Sequence, residues 1–142
     1  MANEFARNIQ DKSINPSATT FTLPSALSTS TQSAVIDLGA DTFKPEEVEL
    51  ELAVPSLTSA IAPSAATGGV TYIIESSTTS TFAAIARTIA SKTIVGSTVG
   101  IVAVALRARA PSDCERYVRG KVTLAATTAD ASALAGTFTA RF

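Results

Sequence analysis

The chain of 142 residues contains no histidine and no tryptophan, and Cys114 is its one cysteine. The lack of histidine excludes an imidazole base and any histidine-ligated metal. A single cysteine excludes an intrachain disulfide, so packing has to stabilise the fold. Cys114 has no histidine to activate it and stands between Asp113 and Glu115, whose charges disfavour a thiolate. These absences predict a protein that is not an enzyme, with no catalytic residue, no metal and no cofactor.

Charged residues are also scarce, at 16% of the chain, and 11 basic against 12 acidic side chains give a net charge of −1. A nucleic acid or an acidic membrane surface would require a basic excess in its partner, so neither is expected to bind. No stretch approaches the ~20 apolar residues that span a bilayer. The most apolar region, 94–106, is interrupted by glycines.

What the chain does have is alternation of polar and apolar residues, most regularly in residues 47–54. One face carries four aliphatic side chains, and the other carries Glu47, Glu49, Glu51 and Ala53. Glutamate and leucine favour helices, but a strict period of two would scatter the aliphatic residues around a helix. The pattern therefore predicts a strand.

The C-terminal residues, 115–142, contain two more alternating runs separated by a polar gap at 127–132. In the first run the polar side chains from Tyr117 to Thr123 share one side, and Val118, Val122 and Leu124 share the other. Two alternating runs joined by such a loop predict an antiparallel hairpin.

Further strands are expected at 32–39, 70–75 and 101–107, the last of them buried, whereas 82–90 fits either a short helix or a strand. About seven or eight short strands with turns between them predict an all-β fold. We expect an antiparallel β-sandwich, jelly-roll-like, that spans residues 32–142 and is preceded by an extended N-terminal arm, residues 1–31.

The arm is predicted because residues 1–31 are rich in serine, threonine and proline and cannot bury enough apolar surface to fold alone. One interpretation is a floppy leader. The other is an extended arm that becomes ordered against a partner, with prolines that keep it out of a helix. Its apolar anchors would then be Phe5, Ile9, Ile14, Phe21 and Leu23.

Two charged groups are candidate sites. The three glutamates of residues 47–51 point the same way on a strand, which suits a calcium or acid/base site, although a solvated face is the more common meaning of such a run. Late in the chain, a basic concentration is formed by Arg107, Arg109, Arg116, Arg119 and Lys121, and Arg119 and Lys121 share a strand face with Tyr117. We interpret this face as a surface for an acidic protein partner, with a plain solvated face as the alternative.

Three segments carry a resemblance to a known family: Val35–Gly39, Glu115–Arg119 and Ala135–Ala140. They are similar to the strands of the small jelly-roll cement, or decoration, proteins of tailed-bacteriophage capsids, of the type described from a Bordetella phage. The last segment resembles the family's closing Ala-Gly-Thr-x-Thr-Ala strand. The front end departs from the family, because residues 1–31 are longer than its usual leader.

The resemblance implies a structural virion protein that binds the outer surface of the phage head and bridges neighbouring major capsid proteins. It also implies self-association, as a homodimer or homotrimer, and assembly in the host cytoplasm. Two alternatives remain open: another virion component, such as a tail, fibre or coat subunit, or a carbohydrate-binding β-sandwich module. An enzyme that uses the glutamate face is a further hypothesis.

Overall fold

The computed structural model describes residues 17–25, 30–39, 47–62, 69–83, 87–125 and 129–141. These residues form nine β-strands and no α-helix, which confirms the prediction of an all-β protein. The strands are β1 Ser17–Thr22, β2 Ser30–Gln32, β3 Ile36–Asp37, β4 Glu49–Val54, β5 Val70–Ser77, β6 Arg87–Ile94, β7 Val104–Arg109, β8 Tyr117–Leu124 and β9 Ala135–Arg141. None of the described residues forms a helix that could cross a membrane.

The strands form two antiparallel sheets. Sheet A has the order β1-β9-β4-β7, and sheet B has the order β2-β8-β5-β6. The short β3 pairs with the same edge of β8 as β2, at Ile36 opposite Val118. The two sheets pack face to face, so the predicted antiparallel β-sandwich is confirmed.

The core lies between the sheets and follows the predicted alternation. In β4 the buried side chains are Leu50, Leu52 and Val54, and in β8 every second residue is buried. The sheets come closest at Gly120, where a Cβ atom would lie 2.8 Å from Leu52 Cδ1 and 3.2 Å from Phe138 Cδ2. The largest fully buried side chains are Tyr72, Phe138, Leu23, Leu38, Leu50, Leu52, Leu57, Ile74, Leu124, Val48, Val70 and Val118.

The predicted C-terminal hairpin is wrong. Both runs are strands, but β8 lies in sheet B between β2 and β5, whereas β9 lies in sheet A between β1 and β4. The physical reason is the length of the connection, 125–134. Hairpin loops usually have two to five residues, and a longer connection can carry the chain across to the opposite sheet.

The predicted boundary between arm and sandwich also needs correction. Residues 17–22 are β1, which pairs along its whole length with β9, and β2 starts at Ser30. The described part of the predicted arm therefore belongs to the sandwich. Four of the six β1 residues are serine or threonine, and β-branched threonine favours strands even where the composition is typical of a disordered leader. Residues 1–16 lie outside the described residues.

Three other strands differ in detail from the sequence expectation. The expected strand 32–39 is interrupted between β2 and β3, where the Ser33 hydroxyl accepts a hydrogen bond from Gly120 N at 3.0 Å. In the ambiguous segment 82–90, residues 87–90 belong to strand β6, and residues 84–86 lie outside the described residues. The expected buried strand 101–107 starts at Val104 and is only half-buried, because in a two-sheet sandwich one of its faces packs toward sheet B and the other faces solvent.

Candidate functional site

The predicted arm anchors do not form a partner surface in the described residues. Phe21 and Leu23 are 9% and 1% exposed and belong to the core of the sandwich, because β1 places them on its inner face and at its end. Their prediction as partner-binding residues is therefore corrected. Phe5, Ile9 and Ile14 lie outside the described residues.

The predicted C-terminal face does exist on the outside of sheet B, but its arginines are already paired. Arg116 donates from Nε and Nη2 to the two carboxylate oxygens of Asp37, both at 2.7 Å. Its guanidinium also stacks 5.1 Å from the ring centre of Tyr117. A bidentate pair of this kind neutralises the arginine and fixes its orientation.

Arg119 is enclosed rather than offered to a partner. It donates from Nε to Glu75 Oε1 at 2.6 Å, and the ring of Phe82 lies 3.9 Å from its guanidinium. Phe82 has a positive φ of 53°, an unusual conformation for a bulky residue. The turn after β5 therefore covers the ion pair with an aromatic ring. Lys121, on the same face, is partly exposed and forms no ion pair with a carboxylate of the described residues.

The five basic residues that are close together late in the sequence are divided between two surfaces. Arg107 and Arg109 lie on the outside of sheet A, on the opposite side of the molecule from Arg119 and Lys121. Strand pairing places each of them opposite a glutamate, and Arg107 Nε donates to Glu51 at 2.5 Å. The structure therefore contains no single basic patch made by all five predicted cations.

The predicted glutamate face of residues 47–51 supplies the carboxylates opposite these arginines on sheet A. Glu49 stands between Arg109 and Arg141 in the strand register, and Glu51 pairs with Arg107. No group of three or more cysteine, aspartate or glutamate side chains in the described part of the chain is placed to hold a metal ion. The observed arrangement is an alternating charge ladder across β9, β4 and β7, which suits a solvated sheet face.

Cys114 lies in a further cluster of polar side chains. Arg87 forms an ion pair with Asp113. The hydrogen bond that Arg87 donates in this pair lowers the pKa of the Asp113 carboxyl. The Ser76 hydroxyl donates to Glu115. Burial raises the pKa of the Cys114 thiol, and a thiol with a raised pKa is a poor nucleophile. The cluster therefore binds the β7–β8 connection to the sheet and does not activate the sulfur.

Apart from Lys121, which lies in the middle of β8, these charged groups lie towards one end of the sandwich, which we name the charged end. It comprises the end of β3, the start of β4, the ends of β5, β7 and β9 and the starts of β6 and β8. The opposite end, which we name the uncharged end, consists of the described residues 23–25, 55–62, 95–103 and 129–134, which belong to the connections after β1, β4, β6 and β8. These four connections contain one charged residue, Asp130.

The described parts of the uncharged end are joined to each other by backbone hydrogen bonds. Four bonds of 2.8–3.2 Å show the pattern: Leu23 N to Leu134 O, Leu57 N to Ile101 O, Ser97 N to Ala62 O, and Ala129 N to Ile61 O. Each bond connects two different connections. The loops therefore form one layer, because fixing one of them also fixes its neighbours.

This layer displays apolar side chains to solvent. The exposed large hydrophobic residues among those described are Val95, Val99 and Val102, at 58%, 84% and 76% exposure, and all lie in the connection between β6 and β7. Gly100 fixes the turn between them, since its φ is 85° and a Cβ atom there would lie 2.0 Å from Leu57 O. Ser97 Oγ closes the same turn by donating to Gly100 O at 2.6 Å.

A shallow groove of about 390 Å³ lies on the outside of sheet A, and one of its lining residues, Ala103, directly follows Val102 in the chain. It is lined by residues 53–55 at the end of β4, 103–105 at the start of β7, and Ala135 and Thr137 of β9. None of these side chains is charged. The uncharged end therefore continues onto the sheet as an apolar surface.

The sequence analysis missed the uncharged end, although one signal for it was present. Four chain segments lack charge almost entirely, but they are spread between residues 23 and 134. Only the strand order places them at the same end of the sandwich. Val102 was predicted to lie in the buried strand 101–107 and is 76% exposed, because the apolar character of a residue in a sequence does not show whether it is buried.

Comparison with known proteins assigns no family to the chain. No protein-family model matches it, and no curated protein matches it. The function of these surfaces has to be argued from their own geometry and charge.

Proposed function

We propose that the protein is a capsid cement, or decoration, protein of a tailed bacteriophage. It would bind the outer surface of the head and bridge neighbouring major capsid proteins, thereby stabilising the shell. The observation that carries the proposal is the division of the sandwich into a charged end and an uncharged end with exposed valines. One end suits contact with another protein, and the other suits solvent.

The strand pairing supports the jelly-roll part of the proposal. Among the described strands, β1 pairs with β9, β2 and β3 with β8, β4 with β7, and β5 with β6. This nested pairing is that of one long hairpin rolled over so that its segments fall in two sheets, the winding expected of a jelly roll. The sequence resemblance of β8 and β9 to cement-protein strands agrees with it.

The location and partners follow from this proposal. The protein would reside on the outside of the virion after assembly in the host cytoplasm, with the major capsid protein and further copies of itself as partners. A contact that is weak for one copy can hold firmly when a homodimer or homotrimer binds at several points, because the later contacts are intramolecular. This arrangement needs a rigid contact surface more than it needs a deep pocket.

Co-sedimentation tests the proposal. Purified protein is mixed with bare, expanded shells of the phage that encodes it, and the shells are pelleted under salt conditions that leave them intact. We expect the protein in the pellet, saturating in numbers comparable to the major capsid protein. Absence from the pellet contradicts the proposal, and a copy number of only a few per virion assigns the protein to the tail or a fibre instead.

A further inference from the structure

We infer that the uncharged end is the surface that docks on the shell, and that its partner is an uncharged, apolar surface of the major capsid protein. The inference deepens the capsid-cement function proposed above and rests on it. It also gives the protein an orientation: the β6–β7 connection faces the shell, and the charged end faces the solvent.

The distribution of charge selects the chemistry of the partner. A charged side chain on the shell would be desolvated against the uncharged end without a counter-charge, which is strongly unfavourable. Asp130 is the single charged residue available there, and its carboxylate accepts a hydrogen bond from Ser132 N at 2.8 Å. The complementary surface must therefore also lack charge, and it would gain from covering valine side chains.

The rigidity of the surface supports docking rather than accidental exposure. Leu57 and Ile101 exchange two backbone hydrogen bonds of 2.8 Å, and Ile101 is 3% exposed. The buried Ile101 thus anchors the β6–β7 connection. Val99 and Val102, on either side of Ile101 in the same connection, remain mostly exposed. A surface that is already ordered loses little conformational entropy on binding, so more of the gain from burying the valines is retained as affinity.

The groove next to Val102 extends the same surface. Ala103 lines it, and Pro55 and Ala135 form its other walls. Small side chains on a flat sheet allow the backbone of a partner to approach closely, and the absence of charge again excludes a charged occupant. An apolar segment of the major capsid protein can thus contact the valines and the groove together.

The experiment compares two variants in the co-sedimentation assay with the same bare shells. Val99→Asp combined with Val102→Asp places two carboxylates on the uncharged end, and Ser80→Asp is the control because Ser80 is exposed in the turn at the charged end. Both valines are largely exposed, so the double variant should unfold at the same temperature as the wild type. We expect it to bind shells at least tenfold more weakly, while Ser80→Asp binds as the wild type does.

The outcomes separate this inference from the proposed function. Failure of the wild type to bind contradicts the cement function itself. Wild-type binding that the valine variant retains overturns the inference, as does a loss caused by Ser80→Asp alone. Sedimentation velocity without shells tests whether a second copy of this chain binds the uncharged end instead. If the wild type is oligomeric and the valine variant is monomeric, the uncharged end is an interface between copies, and its assignment to the shell is wrong.

Discussion

Glu75 and Arg119 form the most enclosed ion pair in the described part of the chain, and replacing Glu75 with Gln tests what this enclosure does. The side chains are 8% and 19% exposed, and the ring of Phe82 covers the guanidinium. Glutamine keeps the size of the side chain and removes its charge. Arg119 would then remain under the ring without a counter-charge.

The expected loss follows from the exposures. Removing one partner of a fully buried pair raises the free energy of the folded state by about 3–5 kcal/mol. Because Arg119 retains some contact with solvent, we expect about 2–3 kcal/mol for Glu75→Gln. The pair of Glu51 and Arg107 is the matched control, since it has similar geometry but an arginine that is 62% exposed. Glu51→Gln should lower the stability by less than about 1 kcal/mol.

Urea unfolding at neutral pH measures both variants. The dependence of the unfolding free energy on urea should be unchanged, so the shift in midpoint reports stability directly. A double-mutant cycle with Arg119→Met isolates the coupling between the two side chains. If Glu75→Gln and Glu51→Gln lower the stability equally, burial does not distinguish the two pairs and the reasoning is wrong.

Three further predictions concern the interior. Burial raises the pKa of Tyr72 to about 12, so folding favours its neutral form; stability should be full below about pH 10 and fall by about 2 kcal/mol between pH 10 and 12. Tyr72→Phe should abolish this fall and be at least as stable near pH 7, because the Tyr72 hydroxyl has no hydrogen-bond partner among the described residues. Urea unfolding of both proteins at pH 7, 10 and 12 measures this difference. The raised pKa of Cys114 predicts slower reaction with Ellman's reagent near pH 8 in the folded protein than in urea, and equal rates would contradict it. Gly120→Ala should lower the unfolding free energy by about 1–3 kcal/mol, since its Cβ atom meets Leu52 at 2.8 Å; an unchanged urea midpoint would show that the sheets can separate there at no cost.

The local features of the fold could be predicted from the sequence, and the non-local ones could not. A period of two shows which residues of β4 and β8 face the core, because neighbouring side chains of a strand point to opposite faces. The same period carries no information on which sheet a strand joins, which is why β8 and β9 were wrongly paired as a hairpin. The β1 strand was missed because hydroxyl-rich composition suits both an edge strand and a disordered segment.

The candidate site shows the same limit. Arg107 and Arg119 are close in sequence, yet they lie on the outer faces of different sheets. Conversely, Leu23 and Leu134 are far apart in sequence and are joined by a hydrogen bond in the layer of the uncharged end. Charge counted along the chain therefore predicted a basic patch, whereas the strand order produces a charged end and an uncharged end.

An electron cryomicroscopy reconstruction of shells bearing this protein tests the central claim most directly, because it shows which end of the sandwich contacts the shell. The account predicts Val99 and Val102 against an uncharged surface of the major capsid protein, with Asp113 and Arg116 in solvent. Contact through the charged end, or a particle without density for this protein on its outer surface, would contradict it.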